Sequence, residues 1–348
     1  MRVLHLIDVA SPWGGPCTQR LAAQSIARLE QAGWPAHDVL LIGRRSDARD
    51  AARCGLNVTG TIWPLHGRTL AAGRAFGRWL AACRNAGAAP DVIHAWSSSA
   101  GALAAVTAAA FPRVVTPKPL AVDLAPSAFT PRREIRERWL REEGVALDEY
   151  VLGLLGEPAE RFDARQAMHV GARTGLSSRR IRMIMSGRAL GRPEQQRFLA
   201  RLDLDQVIVQ DERITRPWEV IRGLDAALVL APAPRRRSNS AGLSSLPALW
   251  AHAARVPVIA EANAPLDGLV THDRTGLMFP PRELNVACDR LARLHDDRTL
   301  ASRLTDVAHQ LASDRFPLDV FCTRLDGAYR QAIEERRAAY LENPVVAE

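Results

Sequence analysis

Three consecutive arginines are the residues of this sequence best suited to binding an anion. Guanidinium groups form paired hydrogen bonds with phosphate oxygens, and hydroxyl groups and the free N–H groups of a helix start add further donors. The basic run is followed by such polar residues and by the predicted start of a helix; the candidates are Arg235, Arg236, Arg237, Ser238, Asn239, Ser244 and Ser245. The alternative interpretation is a solvated basic loop that ends in an ordinary serine N-cap.

A glycine pair near the start of the chain is the second candidate. Gly14 and Gly15 lie between a predicted strand at residues 3–8 and a predicted helix at residues 20–32. Glycines let the backbone come close to a ligand, and the helix start that follows offers N–H groups to an anion. Alternatively, the pair forms only a tight turn between the two elements.

One histidine, His94, is the candidate for acid–base chemistry. It lies at the end of a predicted strand at residues 91–95. An imidazole in that position can exchange a proton or orient a hydroxyl group of a substrate. The alternative is a histidine that is hydrogen-bonded within the fold and has no chemical role.

The elements that must position these residues alternate between strands and helices. In the first part of the chain, strands are predicted at residues 3–8, 37–42, 58–63, 91–95 and 113–116. Residues 116–133 contain four prolines and are interpreted as a linker, after which strands are predicted at residues 150–155, 181–185, 206–210, 226–230 and 257–260. Helices are predicted to close the chain at residues 283–295, 298–313 and 318–338. This alternation predicts an α/β fold with two Rossmann-like halves, each with a parallel sheet between helices.

Length and composition are those of an ordinary two-domain globular protein. The 348 residues exceed what one hydrophobic core usually supports, and apolar residues make up 47% and charged residues 24% of them. No run of apolar residues is long enough to cross a membrane. The apolar start of the chain is interpreted as a first strand rather than as a signal peptide. A cytoplasmic location is therefore expected, with peripheral attachment to the inner membrane as an open alternative.

Charge and cysteine content argue against several other classes of protein. The five cysteines form no C-x-x-C pair, which argues against a disulfide framework and against a zinc site. The net charge of +8 comes almost entirely from arginine, since Lys118 is the only lysine. No recognised nucleic-acid module accompanies this charge, so a nucleic-acid partner is not expected. The excess of positive charge suits phosphate-bearing ligands or an anionic membrane surface.

Residues 257–281, PVIAEANAPLDGLVTHDRTGLMFPP, are the most informative segment. They are interpreted as a buried strand, a loop, a His-Asp-Arg-Thr-Gly turn and a short apolar strand that ends at two prolines. This arrangement resembles the end of the donor-binding domain in glycosyltransferase family 4, whose members are retaining nucleotide-sugar transferases of the GT-B architecture. The glycine loop and the sequence around His94 are similar to the corresponding segments of the same family.

The resemblance implies a fold and a function. Two Rossmann-like domains that face a cleft are expected at residues 1–130 and 131–315, with a last helix at residues 316–348 that crosses back toward the first domain. The implied reaction transfers a sugar from a nucleotide-sugar donor to an acceptor that is a glycan, a lipid or a small molecule. No cofactor and no metal are expected, because in this family positive side chains and helix dipoles stabilise the leaving diphosphate.

Four positions depart from the pattern of the family. Counting back from residue 257 places Gly242 and Trp250 where active members carry two glutamates, and neither side chain can accept a hydrogen bond as a carboxylate does. Where the family has an arginine and a lysine that bind the donor diphosphate, this chain has Glu157 and Phe162. Arg161, next to the second of these positions, is the remaining candidate for phosphate binding there.

These departures leave two functional hypotheses. In the first, the chain is a divergent glycosyltransferase that binds its donor through the basic run that begins at Arg235. In the second, it is an inactive GT-B protein that serves as a binding or scaffold partner in polysaccharide biosynthesis. Only a short proline-rich segment separates the first half from the second, so the acceptor-side domain is expected to be shortened.

Overall fold

The structure of the chain, a computed structural model, describes most of the sequence. The described residues are 1–9, 16–62, 69–108, 111–116, 121–155, 164–175, 180–186, 197, 199–201, 204, 206–230, 245–262, 266 and 268–342. The chain divides into two compact units: Met1–Ala121 together with Leu318–Glu348 is the first unit, and Val122–Pro317 is the second. The corresponding boundaries predicted from the sequence are residues 130 and 316.

The first unit is built on a parallel sheet. Its strands are β1 (Arg2–Asp8), β2 (Ala36–Ile42), β3 (Gly60–Ile62), β4 (Val92–Ala95) and β5 (Arg113–Val115). Its helices are α1 (Pro16–Gln31), α2 (Arg45–Arg53), α3 (Thr69–Asn85), α4 (Ser98–Thr107) and, from the end of the chain, α10 (Leu318–Glu342). The strand order is β3-β2-β1-β4-β5, so the chain starts in the middle of the sheet and builds first to one side and then to the other.

The two faces of this sheet differ in polarity. Because successive side chains of a strand point to opposite faces, Leu4 and Leu6 lie on one face of β1 and His5 lies on the other. The first face joins the apolar residues of α3 and α4 in one hydrophobic cluster. On the second face His5 is in register with His94 of β4, and α10 packs there through Tyr329.

The second unit is built on a six-stranded sheet. Its strands are β6 (Tyr150–Leu155), β7 (Ile181–Met185), β8 (Ile208–Gln210), β9 (Ala226–Val229), β10 (Val258–Glu261) and β11 (Leu277–Phe279). Its helices are α5 (Arg132–Glu143), α6 (Ala164–Gly175), α7 (Ser245–Ala253), α8 (Leu284–Asp296) and α9 (Arg298–Arg315). The strand order is β11-β10-β9-β6-β7-β8, and one hydrophobic cluster joins these strands to α6, α8 and α9.

The predicted α/β class with two sheet-and-helix halves is confirmed, since every strand pair of the described residues is parallel. Helix α2 is absent from the sequence prediction, because Ala51 is its only buried residue and no apolar periodicity marks it. Its start is held by Asp47, whose carboxylate accepts the N–H of Arg44 at 2.5 Å. Within the described ranges, no helix has the length and apolar content needed to cross a bilayer.

Candidate functional site

The candidate site lies at the carboxyl edge of the second sheet, because open parallel sheets bind ligands where the strand order reverses. The chain builds outward from β6 to β8 and then returns to β9 on the other side of β6, so the strand order reverses between β6 and β9. The chain leaves these strands at Leu155 and Val229. The segments after these strand ends hold most of the predicted ligand-binding residues, which lie outside the described residues: Arg161, Arg235, Arg236, Arg237, Ser238, Asn239 and Ser244. Three of the four positions that depart from the family pattern also lie outside the described residues: Glu157, Phe162 and Gly242.

Ser245 is a predicted ligand-binding residue of this edge that the structure does describe. It is the first residue of α7 and is 4% exposed. Because α7 connects the parallel strands β9 and β10, its N-terminus and the positive end of its dipole lie at the carboxyl edge of the sheet. The position suits an anion, although the buried Ser245 already interacts with another group of the chain.

Trp250 lies at the position that the resemblance assigns to a ribose-binding glutamate, and its side chain is buried. It is 1% exposed, its ring is edge-on to Phe129 with the centroids 5.4 Å apart, and the ring of Trp218 is 5.5 Å away. The guanidinium of Arg222 lies 4.7 Å from the centroid of Phe129. Each such aromatic pair contributes about 0.5–1.5 kcal/mol beyond its buried area. An indole packed inside the second unit thus occupies the position where the resemblance implies a carboxylate.

The end of α7 places an arginine in an uncommon backbone conformation. Arg255 follows the helix with a φ of 59°, which is the left-handed conformation that glycine adopts without strain. Its guanidinium forms an exposed ion pair with Asp306 at 2.5 Å. A large side chain is therefore held in a backbone conformation that is typical of glycine.

The His-Asp-Arg-Thr-Gly turn has a packing role in the described structure. Thr275 Oγ1 donates to the carbonyl of Leu269 at 2.7 Å and accepts the N–H of Thr271 at 2.8 Å. A Cβ on Gly276 would lie 2.7 Å from the carbonyl oxygen of Val258, so a larger residue would push β11 away from β10. The segment that carries the family resemblance therefore fixes the edge of the sheet.

His94 is buried in the first unit, and both of its ring nitrogens are hydrogen-bonded. Nδ1 is 2.7 Å from the hydroxyl of Tyr329, and Nε2 is 3.1 Å from Oγ1 of Thr116. Because Thr116 Oγ1 donates to the carbonyl of Ala95, it accepts the proton of His94 Nε2, and Tyr329 then donates to Nδ1. Burial lowers the pKa of His94 to about 3, and the nearby His37 contributes in the same direction. The catalytic role of His94 stays a prediction, and these surroundings are those of a histidine hydrogen-bonded within the fold.

His5 and His37 extend this buried polar cluster, which no sequence motif marks. The indole N–H of Trp96 donates to His5 Nδ1 at 3.1 Å, so His5 carries its proton on Nε2 and donates it to His37 Nδ1 at 2.9 Å. Burial lowers the pKa of His37, and a backbone hydrogen bond with Trp34 acts in the opposite direction. Burial lowers the pKa of His5 well below its ordinary value, and His94 and His37 lower it further. The signal that could have revealed the cluster is a histidine in the middle of the apolar run at residues 3–7.

The other predicted sites give no further geometry. Gly14 and Gly15 lie outside the described residues. In the part of the chain that the structure describes, no three His, Cys, Asp or Glu side chains are placed to hold a metal ion. The histidines of the first sheet bond instead to donors and acceptors of the protein.

The solved structures similar to this chain include glycosyltransferases. A glycosyltransferase from Rickettsia africae superposes with a TM-score of 0.64 and 12% sequence identity, over 95% of this chain and 98% of its own. The Anabaena protein Alr3699/HepE, solved with UDP and glucose, gives a TM-score of 0.64 at 14% identity over 94% of this chain and 98% of its own. The chain has a GT-B fold.

This likeness is one of structure and not of sequence. WaaG, a glycosyltransferase involved in lipopolysaccharide biosynthesis, superposes with a TM-score of 0.57 at 14% identity, over 94% of this chain and 98% of its own. No protein-family model matches the chain, and no curated protein matches it by sequence. At these identities the superpositions establish the GT-B architecture expected from the sequence, and the activity has to be argued from the site.

Proposed function

We propose that the protein transfers a sugar from a nucleotide-sugar donor to an acceptor, as a divergent member of glycosyltransferase family 4. The observation that carries the proposal is the similarity of nearly the whole chain to glycosyltransferase structures. Alr3699/HepE, solved with UDP-glucose and with UDP, superposes with a TM-score of 0.61. The acceptor is a glycan, a lipid or a small molecule, and the protein acts in the cytoplasm or peripherally at the inner membrane.

The donor is assigned to the carboxyl edge of the second sheet. In this proposal the N-terminus of α7, which begins at Ser245, directs its N–H groups and its dipole toward the diphosphate. The arginines that begin at Arg235 supply positive charge, with Arg161 as a further contact from the segment after β6. Charge that develops on the leaving diphosphate is then stabilised by fixed groups of the protein.

Titration calorimetry with UDP-, GDP- and ADP-sugars tests the assignment. The double variant Arg235→Ala, Arg236→Ala is expected to lose donor binding by about tenfold or more, because each charged hydrogen bond contributes roughly 1.5–3 kcal/mol. The matched control removes two exposed arginines of α5, Arg133→Ala with Arg141→Ala, and is expected to bind as the unmodified chain does. If none of the nucleotide sugars gives binding heat or is hydrolysed, the transferase proposal fails.

The alternative is an inactive GT-B protein that acts as a binding or scaffold partner in polysaccharide biosynthesis. Trp250 is the observation that favours it, because this residue is 1% exposed and packs against Phe129 and Trp218. An indole held in that way leaves no side-chain acceptor for a ribose hydroxyl. Co-purification of a stable partner by a chain that binds no nucleotide sugar would support this alternative, and sugar transfer by the isolated chain would exclude it.

A further inference from the structure

Strand β5 forms an open edge of the first sheet. The strand order places β4 on one side of it, and no strand in the described parts of the chain pairs with its other side. The chain runs from the end of β5 at Val115 to the start of the second unit at Val122 within seven residues. A further parallel strand would need a crossover connection of about a dozen residues or more. The open edge therefore follows from the short connection between the two units.

The backbone of β5 directs hydrogen-bonding groups away from the sheet. In the ladder with β4, the carbonyl of Pro112 accepts the N–H of Ile93 at 2.9 Å. Because alternate residues of a strand direct their N–H and C=O groups to opposite sides, those of Arg113 and Val115 point away from β4. No hydrogen bond from the described residues reaches these groups. Two donors and two acceptors are thus placed for pairing with another strand.

The side chains beside this edge are apolar and exposed. Val115 is 55% exposed, and Val106 of α4 is 84% exposed. A Cβ on Gly101 of α4 would lie 3.3 Å from Cγ2 of Val115, so the helix lies close beside the strand on this face of the sheet. A strand added to β5 would place alternate side chains over the same face. It would cover an apolar surface that the uncharged sequence of α4 predicts to be buried.

Positive charge around the open edge narrows the choice of partner. Residues 69–120 contain five cationic residues and one carboxylate, Asp91. Arg113 is exposed on β5 itself, and the guanidinium of Arg84 lies 5.6 Å from the ring centroid of Phe111, two residues before the strand. Two copies of the chain would bring like charges together at this edge, whereas a segment that carries carboxylates would be attracted to it.

We propose that an acidic, extended segment of a partner protein adds to β5 as a further strand of the first sheet. Its backbone pairs with the outward groups of Arg113 and Val115, its apolar side chains cover Val106, and its carboxylates lie beside the arginines. A nucleic acid or an acidic polysaccharide would meet the charge but offers no row of N–H and C=O groups with the spacing of a strand. The inference goes beyond the proposed sugar transfer, because it uses no donor-binding residue.

Amide chemical shifts of the full chain test the strand pairing. The probe is a short peptide of alternating glutamate and valine, which is expected to shift the amide signals of Arg113 and Val115. The matched peptide has the same sequence and charge, but every backbone N–H is methylated. It should bind at least about tenfold more weakly, since each backbone hydrogen bond contributes about two- to tenfold in affinity. Equal affinity of the two peptides, or no shift of these amides, would overturn the proposal.

Val115→Pro closes the edge on the protein itself. The substitution removes an N–H that points away from β4, so the ladder within the sheet is kept, and an edge strand tolerates a proline in that position. The unmethylated peptide should bind about tenfold more weakly to this variant. Val115→Ala is the matched control, because it keeps the N–H and should weaken binding by about threefold at most. Equal losses in the two variants would contradict strand pairing.

Charge and self-association test the nature of the partner. Arg113→Glu should weaken peptide binding by about fivefold, whereas Arg49→Glu, at an exposed position of α2, should leave it unchanged. The same loss in both variants would contradict a local charge preference. In sedimentation velocity Val115→Pro should sediment as the unmodified chain does; a dimer that dissociates with this substitution would mean that a second copy occupies the edge, which overturns the proposal. Nucleotide-sugar titration of Val115→Pro should match the unmodified chain, so a failure of strand addition and a failure of sugar transfer are read separately.

Discussion

A histidine of the first unit and a histidine of the second unit are equally buried but differ in their hydrogen bonding. His94 in the first unit and His252 in α7 of the second are both 0% exposed. Both nitrogens of His94 have partners, Tyr329 and Thr116. Neither ring nitrogen of His252 has a partner in the described part of the chain. Comparing the two residues separates the effect of burial on a histidine from the effect of hydrogen bonding. Histidine is a residue type that is often assumed to be catalytic.

Burial has the same electrostatic consequence in both places. It lowers the pKa of His94 to about 3 and that of His252 to about 4, because the charged imidazolium loses its hydration. Both rings are consequently neutral near neutral pH. The difference lies in what each ring contributes. His94 joins β4 to α10 and to Thr116, the residue after β5. Among the described residues the two ring nitrogens of His252 have no partner, which costs about 1–3 kcal/mol for such a group.

Lowering the pH is expected to produce the largest change in the free energy of unfolding, and both histidines contribute to it in the same way. Their folded-state pKa values lie below the ordinary value of 6.5, so between that pH and about pH 4 the unfolded chain binds protons that the folded chain does not. The free energy of unfolding is therefore highest above pH 6.5 and falls as the pH is lowered, by about 1.4 kcal/mol per pH unit for each such histidine. Urea unfolding at a series of pH values between about 7 and 4.5 measures the slope.

The variant His252→Leu is the control for this slope. With one buried histidine removed, its free energy of unfolding should fall less steeply by about 1.4 kcal/mol per pH unit over the same window. Parallel curves for the variant and the unmodified chain would mean that His252 is not held neutral by burial.

His94→Leu is expected to have the next largest effect. The substitution removes two hydrogen bonds and leaves the buried hydroxyl of Tyr329 and Oγ1 of Thr116 short of a partner, which costs about 2–4 kcal/mol in total. Urea unfolding at neutral pH measures the loss, and hydrogen exchange in α10 locates it. A variant as stable as the unmodified chain would show that the hydrogen bonds of His94 add nothing to its packing.

Tyr329→Phe isolates one of the two bonds. The variant keeps the aromatic ring, which also lies edge-on to Trp34, and removes only the donor to His94 Nδ1. The expected loss is about 1–2 kcal/mol in the free energy of unfolding, as for a buried acceptor left without its donor. Tyr340→Phe makes the same change at a residue that is 53% exposed and should leave the stability unchanged. Equal effects of the two substitutions would contradict the assigned bond.

The parts of this fold that could be predicted are those encoded by local patterns. The apolar runs of β1 and β6 predict buried strands, and their alternation with helices predicts parallel sheets. The hydrogen bonds of the buried histidine cluster could not be predicted, because they join residues far apart in sequence. His5 and Trp96 are separated by 91 positions, and His94 and Tyr329 by 235.

The candidate site shows the same division. That Trp250 cannot act as a carboxylate is evident from its side chain alone. Its burial depends on Phe129 and Trp218, whose rings contact the indole only when the second unit is folded. The sequence therefore predicts that Trp250 cannot act as a carboxylate, but it does not predict which side chains pack against the indole.

His252→Leu at neutral pH gives the smallest expected effect, and the sign of that effect tests the comparison directly. A leucine of similar volume leaves no polar atom unpartnered, so the free energy of unfolding should rise by about 1 kcal/mol, opposite in sign to the change from His94→Leu. Thermal and urea unfolding of the two variants side by side measure the difference. A loss of stability in both would mean that His252 has a bonding partner in the folded chain and that the two histidines are held in the same way. A gain confined to His252→Leu would establish that burial alone, without a hydrogen-bonded role, keeps a histidine neutral in α7.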